Sequence, residues 1–154
     1  MSHLYVLCGC PGSGKTTWAH NHLRYDTYVS RDEIRFNMLQ DNEDYFAHEK
    51  EVFDAFVKDI VKALKNGDSV VGDATHIHRA SRLKLLKAID EHYINYDVRF
   101  IFFDICLAVC SQRNAKREGR ARVPDAIINT MFDRITVPSI GECDNCAGVW
   151  IIRE

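Results

Sequence analysis

Apolar and polar positions follow two rhythms along this chain of 154 residues. Short apolar runs of strand length recur at 4–8, 27–29, 69–73, 97–104 and 149–152. Between them the spacing lengthens to that of a helix. The clearest case is 43–65, where Phe46, Phe53, Phe56, Val57, Ile60, Val61 and Leu64 recur at helical steps and Asn66-Gly67 supplies a stop. Helices are also predicted over 14–24, from Ser30 to about Met38, over 79–92 and 106–118, and onward from Pro124. Ser30 with Glu33 three residues later reads as a capping box. Strands alternating with helices, without repeats or linkers, predict one α/β domain over 1–154 with three layers, α/β/α, and a mainly parallel five-stranded sheet.

Composition narrows this picture only a little. The length is that of one ordinary domain with room for a core. Lys and Arg number 20 against 22 Asp and Glu, a net charge of −2, so any basic footprint for nucleic acid must be local. The first strand begins almost at once, and no apolar run approaches a membrane span; the expectation is a cytoplasmic protein with no signal peptide and no membrane partner. Six cysteines do not form a disulfide pattern. Cys8 and Cys10 flank a Gly-rich turn, and Cys106 and Cys110 stand four apart on a predicted helix. Cys143 and Cys146 form a single C-x-x-C, half of a zinc site, and are expected to be a reduced pair in a turn.

The Gly-rich turn carries the chemistry. Gly9-Cys10-Pro11-Gly12-Ser13-Gly14-Lys15-Thr16 satisfies G-x-x-x-x-G-K-[ST] at every fixed position, between a predicted strand and a predicted helix. Glycines let successive N–H groups turn inward on a polyphosphate, and the following helix adds its N-terminal partial charge. Residues 9 to 16, with Thr17 behind them, are therefore expected to bind ATP. Lys15 would reach the β- and γ-phosphates and Thr16 would take a place on Mg²⁺.

Parallel α/β sheets bind ligands beyond the carboxyl ends of their strands. After the second strand, Asp32 and Arg35 share a helix face. A carboxylate there can accept the proton of an attacking hydroxyl, and an arginine beside it can clamp an acceptor phosphate. An acidic residue in a first helical turn is also favoured by the helix dipole alone. After the third strand come Asp73, Thr75 and His76: Asp73 is a candidate Mg²⁺ carboxylate, with Asp104 as its competitor, and Thr75 and His76 are candidate acceptor contacts. Near the end of the predicted 106–118 helix, Arg113 and Arg117 fall four apart and project from one side, with Lys116, Arg120 and Arg122 nearby. A lid over about 111–124, flexing at Gly119, would bring Arg117 to the transferring phosphoryl group as a catalytic arginine.

The stretch 9–19, the Arg31-Asp32-x-x-Arg35 pattern and Arg113-Asn114-x-Lys116-Arg117 together resemble the 5′-hydroxyl polynucleotide kinases of phage and bacterial nucleic-acid repair, within the zeta-toxin-like group of phosphate-loop kinases. The resemblance runs from about residue 4 to 140. It implies strand order 2-3-1-4-5 and transfer of the ATP γ-phosphate to a 5′-OH end of DNA or RNA. By that analogy Asp32 is the general base, Arg35 binds the acceptor phosphate, and Lys15 and Arg117 stabilise the transferring group. Arg113 lies near the nucleotide base, and Thr16 ligates Mg²⁺. Thr75-His76 stands where such kinases commonly read Thr-Asn, which bears on acceptor contacts and not on ATP chemistry. A separate phosphatase or ligase would have to supply the companion steps, and a homo-oligomer is compatible with the sequence. The competing readings are a kinase of nucleosides, sugars or nucleotide sugars, and a nucleotide-dependent switch, which lacks a glutamine at a strand end beside the loop.

Overall fold

The computed structural model describes residues 1–154. Five strands, β1 (Ser2–Cys8), β2 (Thr27–Ser30), β3 (Val70–Asp73), β4 (Tyr96–Phe103) and β5 (Cys146–Ile152), form one sheet in the order β2-β3-β1-β4-β5. All four pairings are parallel, so the sheet is parallel throughout. The helices are α1 (Lys15–His22), α2 (Arg31–Met38), α3 (Glu49–Lys65), α4 (Arg79–Asp90), α5 (Leu107–Ala115) and α6 (Asp125–Asp133), with short 3₁₀ turns at Gly119–Ala121 and Ile140–Glu142.

Burial explains the layers. On β1, Leu4, Val6 and Cys8 pack into one core with Phe56 and Ile60 of α3, Leu85 and Ile89 of α4, and Val98, Phe100 and Phe102 of β4. Leu7, Ile101 and Phe103 face the other way, onto Ala19 of α1 and Cys110 of α5. This is the two-residue period of a strand read on both faces of a covered sheet.

Several helix ends differ from the expectation. The apolar rhythm of 43–65 continues past the real helix start at Glu49, because Tyr45 and Phe46 sit in the preceding turns and pack on each other. The predicted 106–118 helix ends at Ala115, where Asn114 turns inward and its side chain bonds both backbone groups of Val123, at 2.6 and 3.0 Å. Cys106 caps that helix and is exposed, whereas Cys110, one turn later, is buried. The Ser30 cap is as expected, accepting from the Glu33 backbone N–H at 3.2 Å. Asn66-Gly67 ends α3 with Gly67 at φ 85°. No helix is long and apolar enough to cross a membrane.

Candidate active site

The order of the strands reverses beside β1, and the crevice at the carboxyl ends of β1 and β3 is where such sheets bind ligands. The loop after β1 fills one side of it. Gly12 and Gly14 sit in left-handed backbone at φ 83° and 87°, and a Cβ on Gly12 would stand 2.4 Å from the carbonyl oxygen of Cys110. Any side chain there would push the loop off α5. The loop is tied down by Gly9 N–H to the Thr75 carbonyl at 2.8 Å and Ser13 N–H to the Cys10 carbonyl at 3.1 Å. The Ser13 hydroxyl oxygen is buried without a partner. Gly14 caps α1 with no side-chain acceptor, so the first N–H groups of the helix have no side-chain partner. A concave backbone with unspent donors and an orphaned hydroxyl fits a polyphosphate.

Next to the loop, the buried Asp73 ends β3, and its Oδ2 accepts from the Thr16 hydroxyl at 2.6 Å and the Tyr28 phenol at 2.5 Å. Burial, then the Asp73 charge, pushes the Tyr28 phenol far above its usual range, so it stays a donor. Its ring stacks on His20 at 4.3 Å. Asp104 has no such place: it is exposed and paired with Arg153 at 3.1 Å. A hydroxyl and a carboxylate are hard oxygen donors of the kind Mg²⁺ takes while keeping several waters and substrate phosphates.

Across the crevice, α2 presents Asp32 with its side chain 55% exposed. The carboxylate accepts from Arg35 Nη1 and from the Tyr45 hydroxyl at 2.6 Å. Arg35 itself is 6% exposed. Its fork closes on Glu49, Nε at 3.0 Å and Nη2 at 2.6 Å, and its plane lies 4.3 Å over the Tyr45 ring. The expected free phosphate clamp at Arg35 is thus corrected: the guanidinium is committed and holds Asp32 in place. Arg31, by contrast, leaves its buried Nε without a partner and approaches Glu49 only to 3.8 Å. Burial, reinforced by Arg35, draws its pKa down.

His76 is corrected as well. It is 4% exposed, bends back at φ 43° and makes a 2.8 Å hydrogen bond between its Nδ1 and the Leu7 carbonyl. Burial lowers its pKa to about 4, so it is a neutral interior group that does not line the crevice. Thr75, one residue earlier, does line the crevice. The predicted shared face of Arg113 and Arg117 is absent, since α5 ends between them. Arg113 lies over the phosphate loop, Nη1 3.4 Å from the Gly12 carbonyl and Nη2 2.5 Å from Glu154. Arg117 is exposed and turned into the crevice.

The result is a cleft of about 210 Å³ whose lining includes Lys15, Thr16, Asp73, Asp32, Arg117 and Phe46. Such a space has room for a phosphoryl group between a phosphate cradle and a solvent-accessible carboxylate. Arg31, Tyr45 and Glu49 belong to it, Tyr28 supports it from behind through Asp73, and none of the four was assigned from sequence. Arg31 stands in the quoted Arg31-Asp32-x-x-Arg35 pattern, but Tyr45 and Glu49 were hidden inside a stretch read as continuous helix.

Comparison with known proteins agrees with this architecture. The chain is 26% identical over 142 residues to an L-seryl-tRNA(Sec) kinase of Methanococcus maripaludis, a match covering 88% of this chain and 53% of that protein. It therefore spans about half the length of this curated relative. A solved Pnkp1/Rnl/Hen1 complex superposes with TM-score 0.61 at 26% identity, over 73% of this chain and 38% of that one. A sugar kinase from Janibacter sp. HTCC2649 shares the fold, with TM-score 0.65 at 17% identity over 99% of this chain and 85% of that one. The family model AAA_33, described as an AAA domain, matches residues 4–138, and the chain belongs to that family.

Proposed function

We propose that this protein is an ATP-dependent phosphotransferase that moves the γ-phosphate to a hydroxyl of a nucleic-acid acceptor, a 5′-OH end of DNA or RNA. The observation that carries the reading is the meeting of Lys15 and the exposed Asp32 carboxylate in one small cleft, with Arg117 on its rim. Asp32 faces the cleft and accepts the proton of the attacking hydroxyl, while Arg35 and Tyr45 fix the direction of its lone pairs. Lys15 and Arg117 meet the charge that spreads over the equatorial oxygens as the phosphoryl group transfers. The backbone of 9–14, with Thr17 in the first turn of α1 and Arg113 packed over the loop, holds the donor nucleotide. Thr16 and Asp73 would hold Mg²⁺, which would supply positive charge against the donor phosphates. Thr75 offers a hydroxyl to the acceptor, and Arg31, with its unpartnered Nε, is the cation available to an acceptor phosphate beside Arg35.

Two names among the relatives support an RNA-type acceptor, a seryl-tRNA kinase and a Pnkp1/Rnl/Hen1 RNA repair complex. A phosphate-free acceptor, such as a nucleoside or sugar, is the competing reading, and the closure of Arg35 on Glu49 favours it. Labelled ATP with Mg²⁺ and a panel of 5′-OH DNA, 5′-OH RNA, seryl-tRNA, nucleosides and sugars separates them. Label in the oligonucleotides above all other acceptors is expected; label confined to nucleosides or sugars overturns the proposal.

A further inference from the structure

We infer that a second cavity, opening off the catalytic cleft at Phe46, is a nucleobase site for the terminal nucleotide of the acceptor, with Arg120 and Arg122 receiving the phosphodiester beyond it. This rests on the proposal that the acceptor is a nucleic acid. The cavity is about 490 Å³ and shares Tyr45, Phe46 and Val123 with the cleft, but no residue of the phosphate loop. It therefore adjoins the cleft through Tyr45, which bonds Asp32, and not through the phosphate cradle.

Its wall suits a flat aromatic ligand followed by an anion. Phe46 is 45% exposed, a large apolar ring left uncovered at the edge of a charged cleft. The ring is held edge-on by Tyr45 at 4.7 Å, and Tyr45 is anchored in turn by Asp32 and Arg35. A base stacked there would be positioned by the same side chain that orients the general base. Pro124 and Ile127 complete the apolar lining. At the far side Arg120 reaches across to the Gln40 carbonyl at 2.7 Å, and none of the chain's ion pairs uses either Arg120 or Arg122. Asp44 is the one carboxylate on the lining. Aromatic platforms beside unpaired guanidinium groups are how single strands are held without sequence readout. A small polyol would leave this space empty.

The test is equilibrium binding of two 5′-OH hexanucleotides labelled at the 3′ end, one intact and one abasic at its 5′-terminal position, followed by fluorescence anisotropy. The wild-type protein should bind the intact strand on the order of tenfold more tightly, the value of one base–aromatic stack. Phe46→Ala should erase that difference, and Phe46→Trp should keep it with the fold unchanged by circular dichroism. Arg120→Gln with Arg122→Gln should weaken both strands equally and lower the salt slope by about 0.7 per lost phosphate contact. Equal affinity for intact and abasic strands, a difference that survives Phe46→Ala, or no binding of either strand overturns the inference. A parallel phosphorylation assay judges the other proposal separately. Base-dependent binding without label transfer leaves the site standing and removes the 5′-hydroxyl reading, whereas transfer with no abasic penalty removes the site alone.

Discussion

Asp32 and Arg117 are each exposed and each turned into the cleft, so their replacement should leave the fold intact and act on the chemistry. Asp32→Ala should lower kcat by about 10²–10⁴-fold, the usual worth of a positioned general base, with ATP binding largely retained. Arg117→Ala should cost about 10³–10⁵-fold, because an arginine at the transferring group acts where charge develops. Single-turnover kinetics beside nucleotide titration checks both; near-full activity of the Asp32 variant would remove its role. His76 makes a different prediction. Its folded pKa of about 4 lies below the ordinary 6.5, so between those values the unfolded chain binds the extra proton. The stabilisation is present above about pH 6.5 and is lost as pH falls towards about 4. Near pH 5 this loss should be about 2 kcal/mol, seen in urea unfolding as a lower midpoint. An unchanged midpoint between neutral pH and pH 5 would show that His76 is not buried neutral.

At the scale of elements, the acceptor side of the cleft is built by the junction between α2 and α3. Ser30 and Glu33 mark the start of α2, and with it the side-chain direction of Asp32, because that cap depends on two local residues. The start of α3 was not legible, because Phe46 keeps helical spacing while serving as a cleft wall. The rhythm of apolar positions predicts a buried helix face, whereas Phe46 sits in a turn, 45% exposed, as part of the cleft wall. Similarly, the i, i+4 spacing of Arg113 and Arg117 promised a shared face, but α5 ends at the Asn114 clamp on Val123, leaving Arg113 against the Gly12 carbonyl and Arg117 on the cleft lining. Arg117 lines the cleft from the segment after α5, a position that spacing could not show. The functional weight of the junction can be measured with Tyr45→Phe, which removes one hydroxyl bonded to Asp32 and one acceptor for Arg35. It should lower kcat by roughly tenfold, the rate equivalent of a charge-assisted hydrogen bond near 1.4 kcal/mol, and leave the KM for ATP unchanged. A rise in the ATP KM without a fall in kcat would place Tyr45 on the donor side instead.

For the molecule as a whole, the alternation of strands and helices and the position of the phosphate loop follow from pattern and motif, and the strand order from the family resemblance, but the fastening of the cleft floor to the rest of the chain follows from neither. Arg82, with no exposed surface, bonds Glu142 through Nε at 2.9 Å and Nη2 at 2.7 Å, the His76 carbonyl at 2.9 Å and Thr136 at 3.1 Å. These contacts join the turn after β3, which carries Thr75, to the segment 136–142 that precedes β5. Sequence spacing gives no sign of it, since the partners stand 60 residues apart and each looks like an ordinary surface charge. Breaking one side strands a buried charge: Glu142→Gln or Arg82→Leu should each cost about 3–5 kcal/mol in chemical denaturation. Replacing both by apolar residues of similar volume, Arg82→Met with Glu142→Leu, should restore most of that loss, because the expense of a buried pair is mainly its desolvation. The His76 carbonyl and Thr136 would still lose a donor, so restoration should stop short of the wild-type value. A double variant no more stable than either single one would mean that the pair stabilises the fold outright and does not merely satisfy itself.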